Sequence, residues 1–508
     1  MRNIVFVIIF SLLVSFFLSY EYLPKAIVVW DEGTHMSHAY TMYTYLRDGD
    51  FGSYVRFAIN QTGYPPLLPM VSSLLFLLTG FSFEMARRVN LIWFVLSSVL
   101  MYLLGRQLTR STRGGLLSSF LFIFSPLLLL LHMLFMREGI SITMTLLSIL
   151  LYYQARDKRT VRSYVIVGLA LFGVLIAKYN LGILVVAGFM LEALYSRLLK
   201  SHVLIFGVTG VMFALWMSYP AYKIPGFIRA VTDPVPYSIA TVGQALTYYP
   251  MAILLTYSVS LIIGMVLLFS IVGSLLYFKD YKVRVVWFIF IGNIILATIH
   301  HNNLQERYIA STVPLLFLLT SKFLVSYKLK ITWKRVLFGV LGIKIFIDLF
   351  NLPNFVYALG VHAFRTPLFN QRAYEETFYV YDVRRWQMPL ALPNEEKPQD
   401  VADFIARSID LGKPVWVDGY FNELSPGYLD MVLALEREKN TQLPSPYSSY
   451  TVTIEVLPQS RYYTADYIKH NTWQLSNIRY RSQDKTLMKI TEKLFDELKI
   501  HVIIYGKI

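Results

Sequence analysis

Apolar runs of near-membrane length recur along most of this chain, and they leave little choice of fold. Candidate spans lie at 4–20, 88–105, 115–132, 139–155, 163–177, 181–198, 203–219, 251–278, 285–299, 309–325 and 334–350. About 20 helical residues cross roughly 30 Å of hydrocarbon. Within lipid, a chain must satisfy its own backbone, which helices do internally. Of the 508 residues, 55% are hydrophobic and 16% charged, whereas soluble domains carry about a quarter charged residues. The chain is therefore read as a polytopic α-helical membrane protein with about eleven spans. Its first run, Met1–Leu18, lacks a small-residue cleavage site and reads as a retained span rather than a signal peptide.

Loop charge sets the expected orientation. One further apolar stretch, Pro65 to Gly80, follows Tyr64 and begins with two prolines. If it does not cross, Arg106, Arg110 and Arg113 fall in cytoplasmic loops. So do Arg156, Lys158, Arg159, Arg162, Arg197, Lys200, Lys279, Lys282, Arg284, Lys322, Lys328, Lys330, Lys334 and Arg335. The short outer loops after the second span then hold only Arg137, Lys178, Lys223, Arg229 and Arg307. A crossing would invert this pattern against the positive-inside bias. Segments 33–48 and 65–80 are accordingly expected as helices lying at the outer interface, with the N-terminus inside and the C-terminus outside. The net charge of +15 belongs to these basic loops rather than to nucleic-acid binding. Cysteine is absent, which excludes disulfides and thiolate metal sites.

From about Asn351 the chain becomes polar and punctuated by proline. This divides it into a transmembrane domain, 1–350, and an extracytoplasmic C-terminal domain, 351–508. Strands are expected after Gly412-Lys413-Pro414, at Thr451–Leu457 and at His501–Tyr505, and helices from Ser425 to about Lys439 and at Thr486–Leu498. Such alternation predicts a small α/β domain.

The proposed topology collects the notable polar residues on one face. Asp31 and Glu32 follow the first span, Arg137 and Glu138 open another, and Lys178 ends one. His300, His301, Glu306, Arg307 and Tyr308 fill a later outer loop. Ionisable groups at membrane depth are costly and usually functional. Each also has an ordinary role. Asp31 would cap a helix beginning near Gly33, Glu138 would complement a helix dipole, and Lys178 would snorkel from a span end. The two histidines serve as interfacial polar residues, and Arg307-Tyr308 as an interface anchor. The convergence of acids and cations from distant parts of the chain favours a site.

In its order of motifs the chain resembles the GT-C superfamily of polyprenyl-phosphate-sugar glycosyltransferases. It is most similar to the branch of protein O-mannosyltransferases and the lipid A aminoarabinose transferase. The resemblance rests on Trp30-Asp31-Glu32, Tyr64-Pro65-Pro66-Leu67, Arg87-Arg88, the basic turn Arg106–Gly115, Arg137-Glu138, and Glu306-Arg307-Tyr308 with Pro314 downstream. Tyr64 stands where the family has a basic residue, and Glu138 where it usually has Asp. The resemblance implies inverting transfer of one sugar from a polyprenyl monophosphate to a hydroxyl. The acceptor would be a protein, a lipid-linked glycan or a glycolipid. It implies Asp31 as general base, with Glu32 positioning it or raising its pKa. Arg307, then Lys178, would stabilise the departing phosphate. Glu138 would bind sugar hydroxyls or orient a cation, and Arg137, Glu306, Tyr308 and Tyr64 would line the substrate site. No obligatory metal is expected, because fixed cations neutralise a monophosphate. A site made from His35, His38, His300, His301 and the acids is the alternative. The expected location is a prokaryotic plasma membrane or the endoplasmic reticulum membrane, with the active site on the extracytoplasmic or lumenal side. A lipid or solute transporter is the competing class, and an inactive lipid-binding scaffold the third. Transporters place their sites near the midplane between repeated halves, and the sequence shows neither feature.

Overall fold

A computed structural model describes residues 2–21, 32–61, 64–220, 223–225, 242–254, 261–299 and 307–326. In the C-terminal part it describes 398–409, 413, 415–418, 429, 431–433, 435, 449–457, 487–496 and 500–507. Its helices run in the order α1 (Arg2–Glu21), α2 (Glu32–Arg47), α3 (Phe51–Asn60), α4 (Leu67–Thr79), α5 (Phe83–Thr109) and α6 (Thr112–Ile123). Next come α7 (Pro126–Met133), α8 (Arg137–Lys158), α9 (Val161–Ala177), α10 (Tyr179–Tyr195) and α11 (Leu199–Ser218). Then follow α12 (Val242–Ala252), α13 (Leu261–Ser274), α14 (Tyr281–Ile299), α15 (Arg307–Ala310), α16 (Val313–Ser326) and α17 (Pro398–Ser408).

Each described apolar run is helical, with three refinements. The run 115–132 is two helices, α6 and α7, bent by 65°. Ser125 and Pro126 make the break, with proline in the first turn of α7, where its missing N–H costs nothing. The run 251–278 corresponds to α12 and α13, and 309–325 to α15 and α16. Three described helices, Arg2–Tyr20, Phe83–Thr109 and Tyr281–Ile299, are long and apolar enough to cross alone, or four spans if the bent pair counts as one. The run 334–350 and the boundary near Asn351 lie outside the described residues. Helices α2 and α4 occupy the two segments expected at the interface, and α3 joins them in sequence.

The chain divides into two compact units. One comprises residues 1–19, 51–71 and 87–387. Its core runs through Phe94 and Met101 of α5, Ile142 and Ile149 of α8, Leu171 of α9, Phe189 of α10, Ile289 of α14 and Leu315 of α16, all essentially buried. Outward faces stay apolar, as at Leu13 and Phe16 of α1 and Val203 and Leu215 of α11, as lipid contact requires. Gly182 explains one tight corner. A Cβ there would lie 2.5 Å from the Leu175 Cα, so only glycine lets α10 fold back this closely on α9. That hairpin places Lys178 at its apex.

Three turns in this unit share an unusual backbone. Arg110, Arg159 and Arg197 all have positive φ, between 52° and 55°. Each ends a helix or lies one or two residues past its end, and each falls in a loop expected on the cytoplasmic side.

The second unit comprises residues 20–50, 72–86 and 388–508. It contains a four-stranded sheet in the order β1 (Val415–Asp418), β2 (Ser449–Val456), β4 (Ile500–Lys507), β3 (Leu487–Phe495). Strands β1 and β2 are parallel, and the β2–β4 and β4–β3 pairs are antiparallel. Helix α17 packs on β4, burying Val401, Ala402 and Ile405. Thus helix and sheet combine as the α/β reading expects, and Leu429, Met431–Leu433 and Leu435 are helical within the segment expected to be so. One expectation fails. Thr486–Leu498 reads as a helix but forms β3. Leu487, Ile490 and Leu494 stand at helical spacing, but Leu494 is exposed and Phe495 is buried, and a register irregularity between Lys489 and Thr491 interrupts the strand's alternation.

Candidate active site

Helices α8, α10 and α15 begin at one end of the helical unit, and their first residues form a buried polar cluster. Arg137 and Glu138 start α8, Lys178 caps α10, and Arg307 and Tyr308 start α15, which packs on α8. The Lys178 ammonium donates to Glu138 Oε1 at 3.0 Å. It also stands 5.8 Å from the Tyr308 ring centre, while the Arg137 guanidinium lies 4.6 Å from the Tyr64 ring. Glu138 and Lys178 are 4% and 5% exposed, so this is a desolvated pair rather than a surface one.

The electrostatics are lopsided. Burial disfavours charge on Glu138, but Lys178, Arg307 and Arg137 outweigh it and hold its carboxyl at about 2, against an ordinary 4.5. Burial pulls Lys178 below the usual lysine range, Arg137 and Arg307 act in the same sense, and Glu138 opposes them. Both groups lie outside the runs read as spans. Among the described residues, three cations therefore act on one carboxylate. Glu138 Oε2 accepts no hydrogen bond from them. Such a cluster suits an anionic ligand with several oxygens, a phosphate above all.

Of the site residues expected from sequence, the structure thus brings together Tyr64, Arg137, Glu138, Lys178, Arg307 and Tyr308. Glu32 is fully buried in the first turn of α2, within the other compact unit. Asp31, Glu306, His300 and His301 lie outside the described residues. Among those described, no three His, Asp or Glu side chains are grouped to hold a metal. Two buried asparagines, Asn90 and Asn293, bond to the turns that carry Arg137 and Tyr308. Charge-based reading passes over them; the only available signal was an amide within an apolar run.

A second buried cluster occupies the opposite ends of these helices. Arg284 of α14 grips Glu192 of α10 through Nε at 2.5 Å and Nη2 at 2.9 Å. Its remaining donors reach Ser196 Oγ and the carbonyls of Phe278 and Lys279. Arg156 adds a contact to Glu192 Oε1 at 3.7 Å. Along α8, Arg137 and Arg156 are separated by about 28 Å of helical rise.

Residues 64–220 match the family model described as dolichyl-phosphate-mannose-protein mannosyltransferase. That segment includes Tyr64, Arg137, Glu138 and Lys178. No curated protein matches the chain in sequence. Among solved structures, ArnT from Cupriavidus metallidurans in its apo state is similar at 13% identity with a TM-score of 0.62, covering 98% of this chain and 97% of that one. The same protein bound to undecaprenyl phosphate matches at 12% identity and a TM-score of 0.62, covering 98% of each chain. The family match over residues 64–220 and the fold shared with ArnT along nearly the whole chain thus agree in likening this integral membrane protein to that group of proteins.

Proposed function

We propose that the chain is an inverting glycosyltransferase that moves a single sugar from a polyprenyl monophosphate to a hydroxyl acceptor at the extracytoplasmic or lumenal face. The reading is carried by the buried excess of cation over carboxylate around Glu138. A sugar phosphodiester carries one negative charge, and its departing monoester gains a second as the C1–O bond breaks. Fixed cations stabilise that developing charge more than the ground state. Arg307 and Lys178 are assigned to the phosphate, and Arg137 beside Tyr64 supports them. The ArnT structure with undecaprenyl phosphate shows that this fold accommodates such a lipid in that protein.

Glu138 keeps Lys178 ionised and aimed, and its second oxygen is assigned to a sugar hydroxyl. Asp31 takes the acceptor proton as the oxygen attacks C1, with Glu32 beside it in sequence as its partner. The chain's own cations replace a divalent metal, so no metal is obligatory. The acceptor is a hydroxyl on a protein, a lipid-linked glycan or a glycolipid.

The test is transfer of labelled sugar from a polyprenyl-phosphate donor in membranes carrying wild type or Asp31→Asn. Loss of transfer at normal expression supports the assignment. Wild-type turnover in the variant removes Asp31 as base. Binding of the lipid with no transfer to any acceptor class would return the transporter reading. Glycan analysis of a deletion strain identifies the acceptor.

A further inference from the structure

The residues assigned to phosphate sit on turns, and turns in a helical bundle are its least constrained parts. Arg137 and Glu138 follow the break between α7 and α8. Arg307 and Tyr308 form the short α15, which breaks again at Ser311-Thr312 before α16. Broken helices expose carbonyls that lack intrahelical partners. In a membrane protein these must be met from a neighbouring element.

Both breaks are met in the same way. Asn90 of α5 is fully buried, and its amide nitrogen donates to the carbonyls of Leu131 at 3.3 Å, Met136 at 3.2 Å and Leu134. Three carbonyls around one atom identify it as nitrogen, so the orientation of this amide is fixed by its surroundings. Asn293 of α14 is 4% exposed. Its amide nitrogen donates to the Tyr308 carbonyl at 3.2 Å and to Thr312 Oγ1 at 2.7 Å. Each asparagine belongs to a long apolar helix, and each reaches across to the backbone of a turn whose adjoining residues enter the cluster. Gly139 leaves room beside the first clamp. A Cβ there would lie 3.2 Å from both Asn90 Oδ1 and His132 Cδ2.

We propose that Asn90 and Asn293 are positioning residues, a pair of amide clamps that set the Arg137–Glu138 and Arg307–Tyr308 turns against Lys178 for phosphate binding. Neither touches the ligand. They act through backbone carbonyls, so their loss misdirects the cationic cluster while the bundle stays folded. The phosphate assignment rests on the proposed function; the clamping of the turns does not.

The test uses the full-length protein in detergent or nanodiscs, with Asn90→Leu and Asn293→Leu. Ser97→Ala is the comparison, because Ser97 also bonds between α5 and α8, to Thr143 Oγ1 at 2.8 Å, without touching either turn. The ligand-free readout is acylation of Lys178, followed by peptide mass spectrometry. Both leucine variants are expected to label at least ~tenfold faster than wild type, equivalent to about 1.4 kcal/mol of lost protection. Ser97→Ala should label at the wild-type rate. The second readout is affinity for undecaprenyl phosphate, expected to fall ~tenfold in each leucine variant. That loss should be less than additive with Glu138→Gln, as for groups acting through one unit. Should a leucine variant fail to fold, Asn90→Ser and Asn293→Ser, which shorten the donor, replace it.

Unchanged Lys178 labelling in the asparagine variants overturns the proposal. So does equal labelling in Ser97→Ala, which would make the amides ordinary interhelical contacts. Failure of the wild type to bind the lipid would refute the phosphate assignment, and labelling would still decide whether the turns are clamped.

Discussion

The helical unit holds two buried ion pairs at opposite ends of the same helices, and they are built differently. At the Glu192 end, both carboxylate oxygens are engaged, and Arg284 spends its donors on Glu192, Ser196 and two carbonyls. At the Glu138 end, one carboxylate oxygen is left over and cations outnumber the acid among the described residues. A closed network suits a structural role, and the open oxygen at Glu138 is what the proposed ligand site draws on. Buried charge alone therefore does not mark a functional site. What remains unpaired separates the two: Glu138 Oε2 accepts no hydrogen bond, whereas both Glu192 oxygens are engaged.

The difference can be broken from either side. Arg284→Met should cost about 3–5 kcal/mol of stability, because it strands a buried carboxylate. Thermal unfolding in detergent would show this, and adding Glu192→Leu should restore most of the loss. Turnover per folded molecule should hardly change. At the other end, Arg307→Ala should lower transfer by about 10²–10³-fold, the usual scale for one lost electrostatic donor. Its unfolding temperature should move far less than that of Arg284→Met. An unchanged rate would exclude Arg307 from the leaving-group role.

Lys178→Met should weaken undecaprenyl phosphate binding by roughly tenfold or more, within the range for a charge-assisted hydrogen bond. A separable phosphate phenotype at Lys178 and none at Arg284 would sharpen the contrast. The smallest expected effect is on acid stability. Glu138 has a folded pKa depressed to about 2, so its contribution is complete above 4.5 and is lost as pH falls toward 2. The unfolding temperature in detergent should fall across that window, and Glu138→Gln should remove that part of the pH dependence. A flat profile in the wild type would mean that the cations do not hold Glu138 ionised.

Much of the helical architecture was legible because long apolar runs are strong signals. The bends within runs were harder to see. Phe124-Ser125-Pro126 sits inside a hydrophobic stretch, and only proline hinted at the break. Arg137, Glu138, Lys178 and Arg307 were found because ionisable residues stand out at run ends. Glu192 did not stand out, since it lies inside the run 181–198 and its partner Arg284 was counted with the loop charges. Asn90 and Asn293 carry no charge, so no charge argument could reach them. Strand β3 carries Leu487, Ile490 and Leu494 at helical spacing, a pattern its burial does not follow, since Leu494 is exposed and Phe495 buried. The resemblance placed Tyr64 and Arg137 in one site, but their direct contact required the fold itself, as a separation of 73 positions offers no local clue.

The left-handed arginines carry one further consequence. A side chain in that conformation costs about 1–2 kcal/mol, which glycine would avoid. At Arg110, Arg159 and Arg197 the chain keeps a bulky basic group instead. On the cytoplasmic placement expected from loop charge, the positive sign of the basic side chain at each corner favours that orientation, which glycine would not. Insertion reads that sign before the bundle exists, as each hairpin leaves the ribosome and commits its ends to one compartment. Glycine at all three corners would give a more relaxed finished protein and a less decided nascent one.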